Sequence, residues 1–142
     1  MPKSEHIFKV AVEWAVKADH DFIAASQLLK MGAGCPTDVV CFHAAQCVEK
    51  YMKCSLVCHS LNVPKTHDIE RLVGLLPSGK TKLRLSLEKM RLLTEYATNA
   101  RYPGVDDPSF SEASEALGIA KSIRKSILST LPPEVRKLLS LE

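Results

Sequence analysis

The stretch that decides the fold is "DVVCFHAAQCVEKYMKCSLVCHS", residues 38–60. Wound at about 100° per residue, Cys41, Ala45, Val48, Met52 and Leu56 form one apolar seam. Cys47, Cys54 and Cys58 lie on nearly the opposite side, with Tyr51 and Ser55 between the two. Gln46, Glu49, Lys50 and Lys53 make the single polar face. An arc this wide exceeds what one partner helix covers. The expectation is a helix capped by Thr37 or Asp38 and enclosed on two sides, by its own bundle and by a second subunit. Cys47, Tyr51, Cys54 and Cys58 are then the expected interface residues of a homodimer.

Working outward, Ile7, Val10, Ala11, Trp14, Ala18, Phe22, Ala25, Leu28 and Leu29 recur at three- and four-residue steps and predict a helix over 5–31. Ser4 is its candidate N-cap, and Gly32 and Gly34 suit its end. Thr66 is a candidate cap for a shorter helix over 67–76, which Pro77 and Gly79 break. Leu83, Leu87, Met90, Leu93 and Ala97 predict a helix near 81–101, with Thr94 beside the seam. Phe110, Ala113, Ala116, Leu117, Ala120, Ile123, Ile127 and Leu128 predict another over 109–130. A tail helix over 133–140 follows Pro132 and Pro133. Four main helices with short connections and no period-two alternation define an all-α class, an antiparallel up-and-down four-helix bundle with additional short helices. At 142 residues the chain suits one helical domain over 1–142, with 133–142 as its tail.

Composition excludes several classes. Hydrophobic residues are 46% and charged residues 25%, ordinary for a packed domain. A net charge of +3 does not by itself mark a nucleic-acid binder. The basic residues nevertheless concentrate in one stretch, at Lys80, Lys82, Arg84, Lys89, Arg91 and Arg101 against Glu88 and Glu95. The start, MPKSEHIFKV, has no apolar leader, and no run approaches the roughly 18 apolar residues of a membrane span, so a cytoplasmic location without membrane association is expected. Five cysteines, an odd number with four inside one helical pattern, read as free thiols packed as small hydrophobes. No metal is expected. Cys47 and Cys54 stand ~10 Å apart along a helix axis, too far to share one zinc with His43. His43 itself reads as a hydrogen-bonded core or interface histidine. Gly79-Lys80-Thr81 lacks the strand and spacing of a phosphate loop.

The candidate site lies at "LLTEYATNARYPGVDD", residues 92–107. Pro103 disfavours helix at Tyr102, which places Arg101 at a helix end, where a cation is favourable. Tyr102, Asp106 and Asp107 follow at once. Two readings stand: an Arg101–Asp106 or Arg101–Asp107 clamp that ties down the turn, or a guanidinium fork for phosphate or carboxylate. Arg101, Tyr102, Asp106 and His67 are the candidate ligand-binding residues.

Four segments in order, "WAVKADHDFIAASQLL", "CFHAAQCVEKYMKCSLV", "PKTHDIERLV" and "LLTEYATNARYPG", resemble the HEPN domain family (higher eukaryotes and prokaryotes nucleotide-binding) across residues 14–104. The resemblance implies a helical bundle, often dimeric, encoded in many members beside a small nucleotidyltransferase, in some as a toxin–antitoxin pair. No cofactor is expected. Active members are metal-independent ribonucleases that use an Arg followed four to six residues later by a His. Arg101 matches the position of that Arg, but Tyr102 to Pro108 contain no His, and the last His of the chain is His67. The expectation is a non-catalytic nucleotide- or partner-binding module. The alternative is a ribonuclease with an altered site centred on Arg101, with Tyr102 or His67 standing in.

Overall fold

The computed structural model describes residues 2–77 and 83–140. Its order is α1 (Pro2–Leu29), a short 3-10 turn (Gly32–Gly34), α2 (Thr37–Cys58), α3 (Ile69–Leu75), α4 (Leu87–Thr98), α5 (Phe110–Thr130) and α6 (Pro133–Ser140). This is the all-α bundle that the periodicity predicts. The helix bounds depart from expectation where local chemistry differs. Ser4 lies inside α1 rather than capping it, because the helix begins at Pro2, a residue suited to a first turn. Pro36, not Thr37 or Asp38, precedes the first turn of α2. Its end is closed by Ser60 in the left-handed region (φ 57), with the Leu61 N–H donating to the Leu56 carbonyl at 3.0 Å. Thr66 accepts a bond from the Asp68 N–H instead of capping, and Asp68 caps α3 by accepting from the Arg71 N–H. The helix predicted from residue 81 begins only at Leu87, where Ser86 accepts from the Lys89 N–H. Lys80, Lys82 and the Gly79-Lys80-Thr81 stretch lie outside the described residues.

The core explains the architecture. α2 packs against α1, α3, α4 and α5. Ala11, Ala15, Ala18 and Ala25 of α1, Ala44 and Ala45 of α2, and Ala113, Ala116 and Ala120 of α5 are buried. Small residues along facing seams let helix axes approach closely, and the larger Phe22, Trp14, Leu28 and Val10 flank the α1 seam half-buried. Ile69, Leu72, Leu93 and Ile127 supply bulk at the centre. Burying each such side chain is worth roughly 1.5–3 kcal/mol. Thr94 does more than border the seam: its hydroxyl accepts the Ile69 N–H at 3.0 Å and ties α3 to α4. A capping box, Ser109 with Glu112, starts α5.

The expected interface on α2 is corrected. Cys47, Tyr51 and Cys54 are fully buried within one chain, and only Cys58 is half-buried. The second apolar side of α2 is covered by α1 and α5 of the same chain. The polar face is corrected too: Gln46, Glu49 and Lys53 are 8%, 2% and 6% exposed. The α1 ring of Trp14 and the His67 segment lie over them.

The thiols follow from this packing. Burial pushes the Cys41 thiol up to about 12 and raises Cys47 as well. The Cys54–Cys58 hydrogen bond raises Cys54 and lowers Cys58. Alkylation of the native protein near neutral pH, read by mass spectrometry, is therefore expected to label Cys58 first and the other four only on unfolding. Equal labelling of Cys47 or Cys54 would contradict this packing. Reductant and chelator should leave the helical circular dichroism and melting temperature unchanged.

Candidate phosphate-binding site

Among the described residues, three partly buried charged groupings link elements of the bundle, each centred on a carboxylate. Asp19 of α1 accepts a two-pronged contact from Arg124 of α5, Nε at 2.8 Å and Nη2 at 3.2 Å, together with the Tyr51 hydroxyl of α2. This pairing raises the Arg124 guanidinium further, and burial together with the same carboxylate raises the Tyr51 phenol. Glu49 accepts from Lys53 at 2.9 Å and bonds His67 Nδ1 at 2.7 Å. Asp21, 8% exposed, bonds His43 Nδ1 at 2.8 Å with one oxygen and Lys50 at 2.6 Å with the other. This third grouping leaves a ring nitrogen over beside Phe42. An ionised carboxylate only accepts, so Nδ1 carries the proton toward Asp21. The His43 Nε2 has no partner among the described residues.

Arg101 stands next to that third grouping. α4 ends at Thr98 with Asn99 as its cap, so Arg101 lies in the turn beyond the helix rather than in its last turn. Buried Ala100 anchors the turn, the Tyr102 N–H donates to the Asn99 carbonyl at 3.0 Å, and Gly104 takes φ 88, which admits the left-handed step. The guanidinium carbon sits 3.6 Å from the centroid of the Phe42 ring. Such stacking is worth about 0.5–1 kcal/mol where exposed and leaves the N–H edges of the fork pointing outward. No ion pair among the described residues joins Arg101 to Asp106 or Asp107, so the expected clamp is not formed. Phe42 in turn meets His43 edge-on, ring centroids 5.3 Å apart. Elsewhere on the basic stretch, Lys89 is paired with Glu115 and Arg91 with Glu70.

Of the residues named from sequence, Arg101 and Tyr102 are adjacent, and Tyr102 is 60% exposed. Asp106 is exposed in the same turn. His67 is held elsewhere: it is tied to Glu49, seven residues beyond Phe42 on the same side of α2, ~10 Å along the axis. Sequence reasoning missed Phe42, His43, Asp21 and Lys50 as site residues. Their signal was present: His43 and Lys50 are seven residues apart on one face, and Asp21 interrupts the Ala18–Phe22–Ala25 seam.

A helical bundle whose central helix and post-α4 turn expose a stacked arginine is the class defined here. The HEPN domain model matches residues 11–130, and the chain belongs to the HEPN domain family. It is similar in structure to TT1696 from Thermus thermophilus, with a TM-score of 0.69 and 25% identity, over 85% of this chain and 98% of that one. No curated protein matches it. No helix among the described residues is long and apolar enough to cross a membrane.

Proposed function

We propose that this chain is a non-catalytic binding module that takes a phosphate-bearing nucleotide or RNA at Arg101 and works with a separate small nucleotidyltransferase. One observation carries the binding half: the Arg101 fork is fixed on Phe42 with no carboxylate among the described residues taking its donors. A planar fork held by a ring suits two oxygens of a phosphate. The exposed Tyr102 beside it offers a face for a base. Family membership supports the partner half. Homodimerisation is part of the same proposal, on a face other than the enclosed side of α2. Light scattering at micromolar concentration tests it, and a clean mass near 15.7 kDa would remove it.

A specific observation favours ribonuclease activity as the second reading. The Asp21–His43 pair orients an imidazole next to Arg101, an arrangement suited to proton transfer from a 2′-hydroxyl. A cleavage assay on short single-stranded RNA without added metal separates the two. No turnover is expected. Cleavage that disappears in Arg101→Ala would establish the enzyme reading in place of ours.

A further inference from the structure

The Arg101 guanidinium and the His43 imidazole flank one ring, Phe42, at 3.6 Å and 5.3 Å from its centroid. Their separation is therefore no more than the sum of those distances. A phosphate bridging two donors, each at about 2.9 Å from one of its oxygens, spans roughly 8 Å between the donors. We propose that the site selects a terminal phosphate, a phosphomonoester at the end of a nucleotide or RNA strand, gripped between Arg101 and protonated His43 across Phe42. This rests on the reading that Arg101 binds phosphate.

The charge balance points to a monoester. It carries about −1.5 to −2 near neutral pH and offers three oxygens, whereas an internal diester carries one charge and two free oxygens. A site of two cationic donors discriminates in favour of the first. The groups facing His43 are set for this. From α1, Asp21 holds Nδ1. From α2, Lys50 shares Asp21, and Cys47 lies one turn on, buried. From the turn after α4, Arg101 brings the second cationic donor. The neighbouring Asp19–Arg124 pair satisfies itself. With its proton on Nδ1 a neutral imidazole only accepts at Nε2, so a grip on a phosphate oxygen requires a second ring proton taken up with the ligand. Rigid placement is supplied by Asp21, which fixes the ring so that Nε2 is the nitrogen left for a ligand.

The test is calorimetric titration of the full chain with one short RNA sequence carrying a 5′-phosphate, a 3′-phosphate or hydroxyl ends only, and with AMP against adenosine. Wild type is expected to prefer a phosphate-ended ligand by about tenfold. Repeating the titration in buffers of different ionisation enthalpy should show proton uptake with that ligand and none with the hydroxyl-ended RNA. His43→Gln should erase the preference and the uptake while retaining weaker binding of the hydroxyl-ended strand, and Arg101→Ala should weaken both. The proton-uptake measurement needs no variant and holds even if His43→Gln misfolds. Equal affinity for all ends without proton uptake, with Arg101→Ala still weakening binding, would overturn the clamp and leave the Arg101 reading standing. No effect of Arg101→Ala on any ligand would overturn both. Cleavage lost in His43→Gln would make His43 a base and overturn the clamp.

Discussion

Replacing Glu49 by Ala is expected to lower the unfolding free energy by about 3–5 kcal/mol, the usual cost of leaving one half of a buried ion pair alone. Glu49 is 2% and Lys53 6% exposed. Without the carboxylate, the Lys53 ammonium keeps, among the described residues, only the Trp14 ring, 5.4 Å away, and His67 loses its anchor. For a chain of this size about 1 kcal/mol moves the melting temperature by roughly 2–4 °C, so a drop of about 10 °C is expected. The double change Glu49→Leu with Lys53→Met should recover most of the loss, because an apolar pair needs no partner. Urea melts of the three proteins measure this directly. Glu115→Ala, which breaks the exposed pair with Lys89, is the comparison and should leave the melt unchanged. A loss from Glu49→Ala no larger than that of Glu115→Ala would mean that the face is solvated.

That prediction rests on the point where sequence reasoning failed most clearly. Helical periodicity located the helices because each carries an apolar seam at helical spacing, and α5 and α6 begin within a residue of expectation. It could not say what covers each side of α2. Cys47, Tyr51 and Cys54 look surplus if every partner helix brings large side chains. They are not surplus here, because the Ala seams of α1 and α5 bring backbones close enough to enclose that side within one chain. Gln46, Glu49 and Lys53 look solvated for the same reason: polarity alone reads as surface. Glu49 and Lys53 are met by long-range contacts, His67 to Glu49 over 18 residues and the Trp14 ring beside Lys53, which no local pattern encodes.

The site was half legible. Arg101 and Tyr102 stand out because Pro103 and Gly104 force a turn beside them. The companions of Arg101 come from α1 and α2, and pairing Asp21 with His43, 22 residues away, requires the helix packing first. The clamp expected from Asp106 and Asp107 was a sequence-neighbour argument. In the fold the guanidinium instead meets Phe42 of α2, 59 residues away in sequence, which a reading of neighbouring residues does not reach.

Arg101→Ala should weaken nucleotide or RNA binding by roughly 1.5–3 kcal/mol, about 10- to 150-fold, the range of a hydrogen bond to a charged group. Arg101→Lys should recover only part of it, since an ammonium keeps the charge but loses the fork and the stacking on Phe42. Lys121→Ala on the exposed face of α5 removes the same charge from the molecule without touching the site. Titration of ATP and a short single-stranded RNA into wild type, Arg101→Ala and Lys121→Ala at one fixed salt concentration, with a melting curve for each, is the most direct test of the account. The expected result is a large loss of binding for Arg101→Ala alone, with the three melting temperatures within about 4 °C of one another. Unchanged binding in Arg101→Ala, or equal losses in Arg101→Ala and Lys121→Ala, would contradict it.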